Sequence, residues 1–183
     1  SDTRPVPMTG EVYIQRDDFM IDPPKKFFRL GPDREVRLRF SYVVRCTSYE
    51  TDADGNVTVV RGTYDPDTKN GKQPEGRKVK GVIHWVSSEH AVPADVHLYE
   101  PLFTDPDPAK ADGDDFVALL REGSKTTTRA MCEQALGDAT GGESFQFVRL
   151  GYFHCDPKTS APGAPVFHRT VTLKDAWKKA QKQ

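Results

Sequence analysis

The sequence predicts an all-β barrel architecture with helix as a minor component. Three features carry that prediction. Apolar residues alternate with period two in many short runs, turn signals separate the runs, and 14 glycines and 14 prolines are spread over 183 residues.

In chain order, Glu11-Val12-Tyr13-Ile14 reads as a short strand before the charged bend Arg16-Asp17-Asp18-Phe19. Asp22-Pro23-Pro24 is a hard break, since consecutive prolines remove backbone donors. The run Arg34 to Cys46 is the most informative. If it is one strand, Val36, Leu38, Phe40, Tyr42, Val44 and Cys46 share one face, and Arg37, Arg39, Ser41, Val43 and Arg45 the other. Such a strand packs a core with its apolar face and holds a polyanion with the opposite one. Arginines two apart lie about 6.6–7 Å from each other, which suits successive phosphates of a single strand. The same pattern equally describes a solvated face that keeps arginine for solubility and edge protection.

Residues 35–50 and 57–64 form two strand patterns, and the Asp-Gly-Asn in Thr51-Asp52-Ala53-Asp54-Gly55-Asn56 predicts a hairpin between them. A polar loop follows from Tyr64 to Arg77. Strand character returns in 79–86 and, with strict alternation, in 94–100. Residues 104–114 read as an acidic linker and 115–120 as a short helix, while 125–139 is ambiguous. Strands are predicted over 144–150, 151–155 and 166–171, with a helical tail beginning at Leu173.

A formal net charge of −1, from 26 Lys+Arg against 27 Asp+Glu, excludes a global basic field. A nucleic-acid site must then be a local patch. The charges are segregated, with arginine dense at 29–45 and acids dense at 105–115. Cys46, Cys132 and Cys155 make neither a C-x-x-C motif nor a disulfide framework, which predicts a reducing, cytoplasmic setting. No signal peptide or membrane span is legible, and a start at Ser1 without Met is expected of a fragment or processed product.

Catalytic apparatus is absent by the same reading. His84, His90, His97, His154 and His168 never stand at ligand spacing with cysteine, apart from the adjacent His154-Cys155, whose side chains would point to opposite faces of a strand. No metal, nucleophile elbow, P-loop or dinucleotide fingerprint is expected. Binding features remain. Lys25-Lys26-Phe27-Phe28-Arg29 interleaves cations with aromatics, a pairing that suits unstacked RNA bases, although either phenylalanine alone is more commonly core. Gln146 offers donor and acceptor together and Arg149 a fork, but on a regular strand the two face opposite ways and would need a bulge or turn between them.

Together, Thr9-Gly10-Glu11-Val12-Tyr13-Ile14, Glu35-Val36-Arg37-Leu38-Arg39, the run Gly76 to Ser87, Phe145-Gln146-Phe147 leading to Gly151-Tyr152-Phe153, and Val166 to Val171 resemble the C-terminal anticodon-binding region of glutaminyl-tRNA synthetases. The resemblance implies two small β-barrels of the ribosomal-protein-L25-like kind that splay and grip the anticodon. It assigns residues 1–25 plus 101–183 to the barrel near the catalytic domain, with its first strands missing, and 26–100 to the distal barrel. It further implies that Arg29 contacts the third anticodon base, that Arg37 and Arg39 hold the first base and its phosphate, and that Gln146 and Arg149 recognise the middle uracil. Lys26 and Lys174 fall at further contact positions, whereas Phe28 departs from one that can be basic.

The family's catalytic domain lies upstream, and neither class I ATP-site signature occurs here. The chain is therefore expected to bind the anticodon loop of tRNA(Gln) and its own catalytic domain, not membrane or DNA, and not to aminoacylate alone. ATP and magnesium belong to the parent enzyme, and no cofactor is expected in this region. The alternatives are a ribosomal-RNA-binding protein of L25 type, the same region of a glutamyl-tRNA synthetase, and a protein-interaction module without an RNA role.

Overall fold

The computed structural model describes residues 3–108 and 116–173. The chain divides at Pro7/Met8 and at Glu89/His90 into two compact units. Both are built from short strands, as the alternation and turn signals require.

In the Met8–Glu89 unit, β1 (Val12–Ile14) pairs with β6 (Trp85–Ser87), and a four-stranded sheet runs β4-β3-β2-β5. Its strands are β2 (Glu35–Leu38), β3 (Val43–Thr51), β4 (Val57–Asp65) and β5 (Val82–Ile83). The predicted β3–β4 hairpin forms because Asp52 Oδ1 accepts the backbone N–H groups of Asp54 (3.0 Å) and Asn56 (2.8 Å), while Gly55 takes the positive φ of 81° that the turn needs. Leu30, Val36, Leu38, Cys46, Ile83 and Trp85 make the core.

The other unit holds a five-stranded sheet in the order β8-β7-β11-β10-β9. It comprises β7 (Val92–Tyr99), β8 (Lys125–Cys132), β9 (Ser144–Phe147), β10 (Gly151–Cys155) and β11 (Val166–Val171), with β7 and β11 parallel. Phe153 and Phe167 are buried with Ala94, Val96, Cys132 and Cys155. Phe147 stacks on Phe153 at 4.2 Å and meets Phe167 edge-on at 5.2 Å, so the aromatic alternation of β9 and β10 becomes core packing. Hydrogen-bond pairing puts β1 with β6 in the first unit and β7 with β8 and β11 in the second. The observed divisions thus lie 10 to 20 residues upstream of those read from the sequence.

Several boundaries differ from expectation. The 79–86 run is interrupted at His84, leaving β5 and β6 as separate short strands. Gly81 lies so close to the Phe28 carbonyl that no Cβ fits. The ambiguous 125–139 segment is β8 followed by a short 3-10 turn at Gln134–Leu136, and the helix at 115–120 is a 3-10 turn at Phe116–Leu119. The predicted tail after Leu173 and part of the acidic linker lie outside the described residues.

The largest departure concerns residues 35–46. They are not one strand. β2 ends at Leu38, the chain turns, and β3 begins at Val43. Phe40, predicted to face the core, is 78% exposed at the tip of that turn. Arg37, predicted to face outward, is buried.

Candidate nucleic-acid interface

The first candidate surface is a cleft of about 720 Å³ in the Met8–Glu89 unit, lined by Arg16, Phe19, Lys26, Phe27, Phe28 and Arg29 among others. The Asp22-Pro23-Pro24 break lies between the two segments that line it. Arg34 ties the resulting loop down by donating to the carbonyls of Pro23 and Phe27, each at 2.9 Å, and Leu30 N–H closes back on Asp18 O at 2.9 Å. Arg29 Nη1 donates to Asp17 O at 2.8 Å and lies 3.4 Å from the buried Asp18 carboxylate, which fixes the direction of its guanidinium. The same guanidinium is 5.8 Å from the centre of the half-buried Phe27 ring. Lys80 Nζ is 5.5 Å from Phe28, which is 54% exposed rather than core. Lys26 is exposed on the same wall. Cations and ring faces presented together are what unpaired bases and their phosphates require.

The second surface is the β2–β3 turn. Ser41 N–H donates to Leu38 O and Leu38 N–H to Tyr42 O, both at 2.9 Å. The turn is anchored from outside the hairpin as well. Arg39 N–H donates to Ile83 O at 3.0 Å, and the Trp85 indole N–H donates to Arg39 O at 3.0 Å. Beneath it, the Arg37 guanidinium donates to the carbonyls of Ser41 (3.3 Å), Thr68 (3.2 Å) and Lys72 (2.6 Å). Arg39 is exposed, with its guanidinium 4.8 Å from the centre of the Phe40 ring. Other arginines of the unit are tied to acids: Arg61 to Glu50 at 2.6 Å, and Arg77 to Glu35 (2.9 Å) and Asp65 (2.8 Å).

The third surface belongs to the other unit. Gln146 is exposed on β9, opposite Tyr152, with its neighbours Phe145 and Phe147 turned to the core. The chain turns immediately after Phe147, Leu150 N–H donating to Phe147 O at 2.9 Å. Arg149 sits in that turn at φ 67°, so the turn that the sequence reading required between Gln146 and Arg149 exists. Lys174 lies outside the described residues.

Sequence reasoning missed Phe40, Arg16 and Lys80. Phe40 could not be found locally, because its turn contains no glycine, proline or asparagine. Arg16 and Lys80 reach the first surface only through tertiary contacts.

Comparison with known proteins bears on what these surfaces serve. Two family models with the same description, "tRNA synthetases class I (E and Q), anti-codon binding domain", match residues 1–65 and 82–156, together more than half of the chain. The chain is 51% identical over 176 residues to a protein named glutamine–tRNA ligase from Pseudomonas syringae pv. tomato, covering 95% of this chain and 31% of the relative. Relatives of the same name from Bordetella pertussis (50% over 178 residues, 97% and 30%) and Cupriavidus metallidurans (49% over 177, 96% and 30%) match equally broadly. The chain thus spans about a third of the length of these relatives. A mostly β architecture in two units, basic and aromatic surfaces, and two matching family models together establish that the chain belongs to the anticodon-binding domains of class I (E and Q) tRNA synthetases.

Proposed function

We propose that this chain reads the glutamine anticodon as part of a glutamine–tRNA ligase. It would be joined in the same polypeptide to a catalytic domain that ligates glutamine to tRNA(Gln) with ATP and magnesium in the cytoplasm. The names of relatives about half identical over nearly the whole chain support the glutaminyl reading over a glutamyl enzyme or a ribosomal protein. The observation that carries an RNA role is the cleft where Lys26 and Arg29 stand beside Phe27 and Phe28.

In the proposed mechanism the anticodon bases are unstacked and held one by one. Arg29 takes the third base, assisted by Lys26. Arg39 takes the first base and its phosphate, and Arg37 serves that contact from beneath by holding the turn. Gln146 and Arg149 take the middle uracil, and Lys174 contributes a further cation. Unstacking costs a few kcal/mol per base. Stacking on rings returns roughly 1–3 kcal/mol. Discrimination at the middle position comes from a buried donor or acceptor left unpaired when the wrong base enters.

The test is a titration of the chain with an anticodon stem-loop carrying U or C at the middle position. Tighter binding of the U loop supports base reading, and equal affinity for both removes it.

A further inference from the structure

We infer that Phe40 is a stacking platform for one unpaired base of the RNA loop, with the Arg39 guanidinium closing the opposite face of its ring. The inference rests on the anticodon-loop reading and adds to it a residue and a mode of contact.

Two unfavourable features coincide at Phe40. Its ring is 78% exposed, and its backbone takes φ 61° at the third position of a four-residue turn, Leu38 to Ser41. That position of a turn with a single positive φ favours glycine or asparagine, because a bulky side chain crowds the carbonyl there. A residue chosen for the turn alone would not be phenylalanine, and one chosen for the core would not be at the tip. Strain of this kind persists where the surroundings over-determine the conformation, and it concentrates at binding sites. The surroundings do so here. Ile83, Trp85 and Arg37 each hydrogen-bond the backbone of the turn, at 3.0, 3.0 and 3.3 Å respectively.

The geometry selects the ligand. Arg39 Cζ stands 4.8 Å from the ring centre, so one face carries a cation while most of the ring remains open to solvent. An unpaired base offers a flat π surface to the ring and a phosphate to the guanidinium within one nucleotide. Paired bases offer no free face. Because the turn is already rigid, little side-chain freedom is lost on stacking. The turn of the other unit that carries Arg149 has the same backbone form, with a bulky residue at φ 67° in the equivalent place.

The experiment compares the full chain with Phe40→Asn and Phe40→Trp, measuring thermal midpoints and affinities for an anticodon stem-loop at fixed salt. Asparagine suits the turn, so Phe40→Asn should raise the midpoint by a few degrees while weakening RNA binding about tenfold. Phe40→Trp should retain binding or tighten it. An abasic nucleotide at the stacked position should weaken the parent chain and leave Phe40→Asn unchanged. Unaltered RNA affinity in Phe40→Asn overturns the proposal. So does concentration-dependent self-association that Phe40→Asn abolishes without affecting RNA, which would assign the ring to a protein contact. A parent chain that binds the loop but ignores its middle base removes the anticodon reading alone. Loss of binding in Phe40→Asn would still support the platform. A parent chain that does not bind the loop overturns both.

Discussion

The buried guanidinium of Arg37 lies 3.2 Å from the backbone carbonyl of Thr68, whose hydroxyl accepts Val43 N–H at 2.8 Å and donates to Asp65 O at 2.6 Å. Thr68 is fully buried, so the pair locks the 66–72 loop to the β2–β3 hairpin through groups that water does not reach. The planar arginine fork reaches these carbonyls from two separate nitrogens, a spread that the single ammonium nitrogen of a lysine does not reproduce. Arg37→Ala should therefore destabilise the chain by about 3 kcal/mol, since carbonyls buried without a donor each cost on the order of 1–3 kcal/mol. Arg37→Lys should recover less than half of that loss. Urea denaturation checks both, and a loss under about 0.5 kcal/mol would rule out the buried knot.

Arg39 is exposed and adds nothing to that knot, so Arg39→Ala should leave stability within about 0.5 kcal/mol. It should weaken RNA binding and lower the slope of log affinity against log salt by about one, the signature of one lost phosphate contact. An unchanged slope would remove the phosphate role.

The middle-base surface separates stability from recognition. Gln146→Ala should leave folding unchanged and reduce discrimination between U and C loops by roughly 1–3 kcal/mol. Arg149→Gly keeps the left-handed turn at φ 67° while removing the side chain, and should lose the same discrimination. Chemical denaturation and paired RNA titrations read the two effects independently.

Acid acts on a cluster in the five-stranded unit. His168 Nε2 donates to Asp156 Oδ2 at 2.9 Å, and Tyr99 Oη lies 2.6 Å from His168 Nδ1. The His168 hydrogen bond, helped by the Lys158 and Thr159 backbone N–H groups, holds the Asp156 carboxyl well below the usual carboxylate range. Its stabilisation is present above the unfolded value of 3.8 and is lost as pH falls through the lower folded value. His97 is shifted down from 6.5, first by burial and then by Lys125 and His168. Protonation of His97 therefore favours the unfolded chain as pH falls through and below 6.5. Thermal midpoints should decline in two stages on acidification, and His97→Gln should remove the upper one.

Cys46, Cys132 and Cys155 are all buried as free thiols, and burial pushes the Cys132 thiol up to about 11. Thiolate is the reactive form, so Cys132 should resist iodoacetamide at pH 8 until denaturant is added. Mass spectrometry of the labelled chain would show the contrary directly.

Legibility differed from segment to segment for physical reasons. The β3–β4 hairpin could be read because Asp52 and Gly55 encode its turn locally. Gln146 and Arg149 could be named, but the turn after Phe147 depends on an arginine adopting a conformation that only its surroundings impose. The Phe27-Phe28 pair could be singled out by composition alone. In the fold Phe28 stays outside, its carbonyl packed against Gly81 and the Lys80 ammonium beside its ring.

Period-two alternation, turn residues and segregated charge determined by themselves that this is a mostly β chain, and the order of its motifs was enough to indicate the family. Only tertiary structure decided where the 35–46 run breaks, which sends Phe40 outward, and that the 66–72 loop covers Arg37. Alternation reports which residues prefer an apolar side, but not where distant donors and acceptors, here Ile83, Trp85 and Thr68, bend the backbone away from a straight strand.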